Sequence, residues 1–264
     1  MTDWMSLEHR FNDTLHLSHR PVAVTFVDIE PANIQEFKGS EPSGCSFWRL
    51  ASAGRAFYTV PADHYNCAVG SYTHNIELPP ERANELDETL GLMMSIGYVR
   101  AEEVPAIPRL QVPPAAIIYS PLGEAPVGPS VVLFASHPQA AMLLNEAALR
   151  AGVGSKVPML GRASCMALPA ALKSGALSSL GCIGNRIYTD LGNDELYTII
   201  KGSDLTRVAD SLEVIVKANE TLGNIPEIDG SNYRWNTDSA AALTLRRPTQ
   251  TQPKQAKPTR CPRC

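Results

Sequence analysis

Pro129-Ser130-Val131-Val132-Leu133-Phe134-Ala135-Ser136-His137-Pro138-Gln139 changes its character midway. Val131–Ala135 is an unbroken apolar run of strand length, with proline on both sides. A run of that kind predicts a strand buried on both faces. From His137 to Ala151 the pattern is that of a helix, and Gly152 supplies the usual C-terminal stop. A buried strand feeding a helix implies a sheet covered by helices, so the expected class is α+β, a mixed sheet flanked by helices.

Working towards the N-terminus, Ala115–Tyr119 is a second apolar run, and Pro21–Val27 is β-branched and opened by a proline. Both predict strands. Asp3–Leu17 predicts an amphipathic helix, because Trp4, Leu7, Phe11 and Leu15 recur three or four apart. Phe47–Gly54 reads as helix and Ala56–Val60 as extended chain. Pro80–Ile96 predicts one helix, with acidic residues early and Leu86, Leu90 and Met93 on one face. Pro105–Pro114 is proline-rich and predicts irregular chain.

Towards the C-terminus, Ser179–Ile183 and Arg186–Leu191 predict two short strands around a turn at Gly184-Asn185. Asp204–Leu222 predicts a helix with Leu205, Val208, Leu212, Ile215, Val216 and Leu222 on one face and Asp204 at its start. From Pro248 the chain is polar, carries four prolines and has no core residues. The expected organisation is a single compact domain over residues 1–245 and a basic, proline-rich, disordered tail over 246–264.

Composition excludes whole classes. At 44% hydrophobic and 19% charged the chain is not a disordered one. No apolar run approaches the ~18–20 residues needed to span a bilayer. Met1-Thr2-Asp3-Trp4 has neither the basic start nor the apolar stretch of a signal peptide, so no membrane association and a cytoplasmic location are expected. Arg246–Cys264 holds six of the 23 basic residues and none of the 27 acidic ones. The remainder, 17 basic against 27 acidic, carries −10. A body that acidic is not expected to bind nucleic acid.

Six cysteines in a chain without an export signal are expected as free thiols. Four lie in the folded body, each in a small, Gly- or Ser-bearing setting: Gly44-Cys45-Ser46, Asn66-Cys67-Ala68, Ser164-Cys165-Met166 and Gly181-Cys182-Ile183. Four thiolates suit a soft metal or an iron–sulfur cluster, and neighbouring glycines let backbone N–H groups approach sulfur. The long spacings, Cys-x21-Cys and Cys-x16-Cys, are not those of a zinc ribbon or a ferredoxin, so scattered core thiols are an equal alternative. Cys261-Pro262-Arg263-Cys264 is a true Cys-x2-Cys, but no second pair stands beside it and it reads as incidental.

His64 and His74 flank Cys67, so either could be a ligand or a base beside it, against the plainer reading of ordinary hydrogen-bonded histidines. Arg186, four residues beyond Cys182, could neutralise an anionic cluster or clamp a carboxylate; a surface ion pair is the plainer reading. No Gly-x-Gly-x-x-Gly motif, Walker loop or Gly-x-Ser-x-Gly elbow is present.

Taken in order, Pro21–Phe26, Gly44-Cys45, Asn66-Cys67, Pro129–Gln139, Ser164-Cys165 and Leu180-Gly181-Cys182-Ile183-Gly184-Asn185-Arg186 resemble the domain of unknown function 169 family. The Gly-Cys-x-Gly-x-Arg element is the most specific piece, and His137 departs from the asparagine-like residue expected before Pro-Gln. The resemblance implies that Cys45, Cys67, Cys165, Cys182 and Arg186 belong to one family pattern and that Cys261 and Cys264 lie outside it. It implies no activity. The functional expectation is therefore a four-cysteine site, iron–sulfur first and zinc second, in a redox or lyase-type enzyme of a small organic acid. Two alternatives stand beside it: a metal-free enzyme with Cys67 as nucleophile and His64 or His74 as base, and a thiol- or metal-sensing protein.

Overall fold

The computed structural model describes residues 2–153, 159, 161 and 164–223. The chain divides into two compact units, Met1–Lys217 and Ala218–Cys264, and only the final turns of one helix are described in the second. The tail over 246–264, with Cys261 and Cys264, lies outside the described residues.

Six strands build the first unit: β1 (Val22–Val27), β2 (Phe57–Thr59), β3 (Ala116–Pro121), β4 (Val131–Ser136), β5 (Ala176–Ser179) and β6 (Leu196–Lys201). They form one sheet in the order β2-β3-β1-β4-β6-β5. Every pairing between these strands is antiparallel, so the α+β class holds while the expected mixed sheet is an antiparallel one. Period-two alternation sends Val131 and Leu133 of β4 to one face, Val132 and Phe134 to the other.

Helices cover both faces. Against Val132 and Phe134 pack α1 (Trp4–Leu15), α5 (Pro138–Arg150) and the first turns of α8 (Leu205–Gly223), through Leu7, Phe11, Leu144, Val208 and Leu212. Against Val131 and Leu133 pack α2 (Ser46–Ser52) and α6 (Ala167–Ser174), through Phe47, Trp48, Leu168 and Ala171. Each such side chain fully removed from water contributes about 1.5–3 kcal/mol, so these two layers carry the fold. Three further helices complete it: α3 (Ala68–Thr73), α4 (Glu85–Ser95) and α7 (Ile183–Tyr188). Among the described residues no helix is long and apolar enough to cross a membrane.

One buried ion pair anchors α1. Glu8, 3% exposed, accepts from Arg20 Nε at 2.7 Å, from Arg20 Nη2 at 3.2 Å and from the Gly123 backbone N–H. Arg20 also reaches Glu124 at 2.6 Å.

Three expectations are corrected. The segment expected as paired strands at Ser179–Ile183 and Arg186–Leu191 is the end of β5 followed by the helix α7. Gly181 at φ +75° turns the chain out of the strand, and the Cys182 sulfur caps the helix by accepting from the Asn185 N–H. The single helix expected over Pro80–Ile96 is a 3₁₀ turn at Pro80–Arg82 and then α4, of which only Leu90 is buried. Pro105 ends a 3₁₀ stretch at Ala101–Ala106 rather than opening the irregular chain that follows.

Candidate functional site

All four body cysteines stand where a loop enters a helix on the α2/α6 face. Cys45 immediately precedes α2, Cys67 precedes α3, Cys165 lies in the 3₁₀ turn Ser164–Met166 leading into α6, and Cys182 precedes α7. All four are free thiols; Cys45 and Cys165 are buried, Cys67 and Cys182 partly so.

Local contacts join these four segments in a closed ring. The Cys182 N–H donates to Ser164 Oγ at 2.6 Å, next to Cys165. Cys165 Sγ lies 4.0 Å from the Val69 carbonyl oxygen, two residues past Cys67. Cys67 Sγ accepts from the Gly70 N–H at 3.3 Å and also from the Gly44 N–H, adjacent to Cys45. The Asn185 side chain lies against Cys45, while its own N–H reaches Cys182 Sγ at 3.4 Å. A Cβ on Gly70 would stand 3.0 Å from the Cys67 sulfur, so the approach of that N–H depends on glycine.

The polar groups around this ring are unusually unsatisfied. Ten buried side-chain nitrogen and oxygen atoms among the described residues lack a hydrogen-bond partner, and six of them belong to His64, His74, Tyr119 and Asn185. His64 and His74 meet edge-on with ring centroids 5.7 Å apart, and Tyr119 lies 6.5 Å from His64. Thr59 Oγ1 donates to the Ile117 carbonyl, so its 2.8 Å contact with His64 must be a bond it accepts from Nε2–H. That network assigns the proton to Nε2 and leaves Nδ1 as a bare lone pair, 3.5 Å from where a Cβ on Gly44 would lie. Native interiors rarely leave such groups unpaired.

Residues 10–211 match the model of the DUF169 family, described as "Uncharacterised ArCR". The chain belongs to the DUF169 family. No curated protein and no solved structure matches it.

Electrostatics place the DUF169 cysteines together as well. Burial pushes the Cys45 thiol well above its usual value and Cys165 up to about 12; charge on the other three raises Cys45 further, and charge on Cys67 and Cys182 raises Cys165. Burial also raises Cys67, against backbone N–H bonds that lower it. Burial and charge on Cys45 and Cys165 push Tyr119 upward in turn. Without a cation Cys45, Cys67 and Cys165 are therefore held as neutral thiols, poor nucleophiles and poor ligands alike. Burial lowers His64 well below the ordinary histidine value and His74 to about 4, so both rings are neutral. Among the described residues no three Cys, His, Asp or Glu side chains stand close enough to hold one metal ion as they are arranged.

Arg186 is placed otherwise than as a clamp over the thiolates. Its guanidinium donates to the carbonyl oxygens of Gly192 at 2.7 Å, Leu180 at 2.5 Å and Glu195 at 2.9 Å. It fastens the loop that carries Cys182 to the start of β6, which makes it a positioning residue. His64 and His74 do adjoin the cysteine region, but the hydrogen bonds on Cys67 sulfur come from backbone N–H groups. Asn185, Tyr119 and Ser164 were missed from the sequence. Asn185 had one readable signal: it stands three residues after a cysteine, where a capping side chain receives its N–H.

Proposed function

We propose that Cys45, Cys67, Cys165 and Cys182 hold one iron–sulfur cluster, and that this DUF169 protein uses it in redox or lyase-type chemistry on a small organic acid. The observation that carries the reading is the closed ring of four cysteine segments, ringed by buried polar atoms that the fold leaves without partners. Four neighbouring thiols gain little by adjacency while neutral, and ionised they repel; a cation among them removes both costs. A single zinc needs its four sulfurs about 3.8 Å apart, from Zn–S bonds of ~2.3 Å in a tetrahedron. A cluster interposes its own iron and sulfide, so it suits cysteines that encircle a wider space. Bound there, a cluster would supply one-electron transfer. The Gly70 and Asn185 N–H groups would donate to its cysteine sulfurs and stabilise their charge, and Arg186 would keep the Cys182 loop in place.

Anaerobic purification with iron and acid-labile sulfide analysis tests this, alongside Cys→Ser variants at each of the four positions. The expected result is brown protein holding both elements, with each single variant losing them together. Colourless protein with one zinc, or iron content unchanged in Cys182→Ser, would overturn the shared cluster.

A further inference from the structure

A cavity of about 190 Å³ is lined in part by Trp48 and Tyr197. Its lining combines these two aromatic rings with Val22, Leu133, Ala135 and Leu191, and it includes His19, Arg20 and Arg49 against one acid, Asp190. Two of the three basic groups are already engaged: Arg20 by Glu8 and Glu124, His19 by Glu195 at 3.2 Å. Arg49 is held more loosely: its Nη2 forms an ion pair with Glu41 at 3.9 Å, too long for a hydrogen bond, so its guanidinium keeps donors to offer. Trp48 adds an indole N–H, buried and without an acceptor.

We infer that this cavity binds a small monocarboxylate with an apolar body, its carboxylate on Arg49 and its body between Trp48 and Leu133. A guanidinium with unspent donors in the wall of a partly apolar cavity recognises a planar carboxylate by a two-pronged bond. The volume sets the size: an apolar cavity of ~150 Å³ accepts benzene, so this one accepts a ligand of about ten heavy atoms at most. The place gives the cavity its meaning, and here the inference rests on the cluster reading. Trp48 and Tyr197 meet edge-on with centroids 5.4 Å apart. Tyr197 lies against Asn185, which lies against Cys45, and Trp48 is three residues past Cys45 in the same turn. A ligand in the cavity is thus one layer of side chains from the cysteine ring.

Benzoate and its neutral isostere benzamide are the probes, titrated calorimetrically into the full chain as purified. Benzoate is expected to bind at least tenfold more tightly than benzamide. Arg49→Gln should bring the two to parity with folding and iron content unchanged, and Ala135→Leu, which fills the cavity, should weaken both. Equal binding of the two probes, no saturable binding of benzoate, or a charge preference that survives Arg49→Gln would overturn the assignment. The titration reads the cavity and the metal analysis reads the cysteines, so failure of one is distinguishable from failure of the other.

Discussion

His74 gives a sharp thermodynamic test of the interior around the cysteines. Its ring is fully buried, both nitrogens lack partners, and burial brings its pKa to about 4 from the ordinary 6.5. The unfolded chain therefore takes up a proton as pH falls through 6.5, while the folded protein refuses it until about 4. Where the unfolded state binds more protons, stability falls with falling pH, and the loss attributable to His74 is ~2 kcal/mol between pH 7 and pH 5. It approaches ~3 kcal/mol by pH 4. Burial shifts His64 in the same direction, and carboxylates add their own acid dependence, so wild type alone does not isolate the effect. His74→Phe does. Phenylalanine keeps the ring packing against Phe26 and His64, and no hydrogen bond is lost because none is made. Urea denaturation of both proteins should show the variant gaining ~2 kcal/mol on wild type between pH 7 and pH 5. A difference constant across that range would mean that His74 is solvated or partnered, and the account of a polar interior awaiting a ligand would fail with it.

Two further outcomes follow from packing. Glu8→Ala leaves the Gly123 N–H and one edge of the Arg20 guanidinium without their buried partner and should cost about 1–3 kcal/mol, against under ~1 kcal/mol for the half-exposed Glu124→Ala, both read by urea denaturation. At Gly202 a Cβ would stand 1.7 Å from the Pro129 carbonyl oxygen, so Gly202→Ala must move the backbone joining β4 and β6. A loss of several degrees in Tm or insoluble expression is expected there. Gly91→Ala meets nothing within 4 Å on an exposed turn of α4 and should instead gain up to ~1 kcal/mol.

Most elements were legible because their signals are local. Val131–Ala135 and His137–Ala151 appear as β4 and α5 nearly residue for residue, since strand burial and helix periodicity are written into adjacent positions. The region after β5 was misread for an equally local reason. Ile187 and Tyr188 favour strands, and Gly184-Asn185 favours a turn. A positive φ at Gly181 and a sulfur cap at Cys182 outweigh those preferences and start a helix. Arg186 was singled out as a partner for thiolates or a carboxylate, but its partners are carbonyl oxygens, which no side-chain pattern reveals.

By itself the sequence determined the α+β class, the covered sheet and the four cysteines as the residues to watch, because composition, period and punctuation act over a few residues. Only the tertiary structure decided that β1 separates β3 from β4, and that the loops carrying Cys45 and Cys67 meet those carrying Cys165 and Cys182. It alone showed His64, His74, Tyr119 and Asn185 gathered around them with bonds unmade. Those are long-range facts. They arise when the sheet buries its two faces under separate helix layers, and residues distant in the chain are then brought together by the packing that removes the most apolar surface from water.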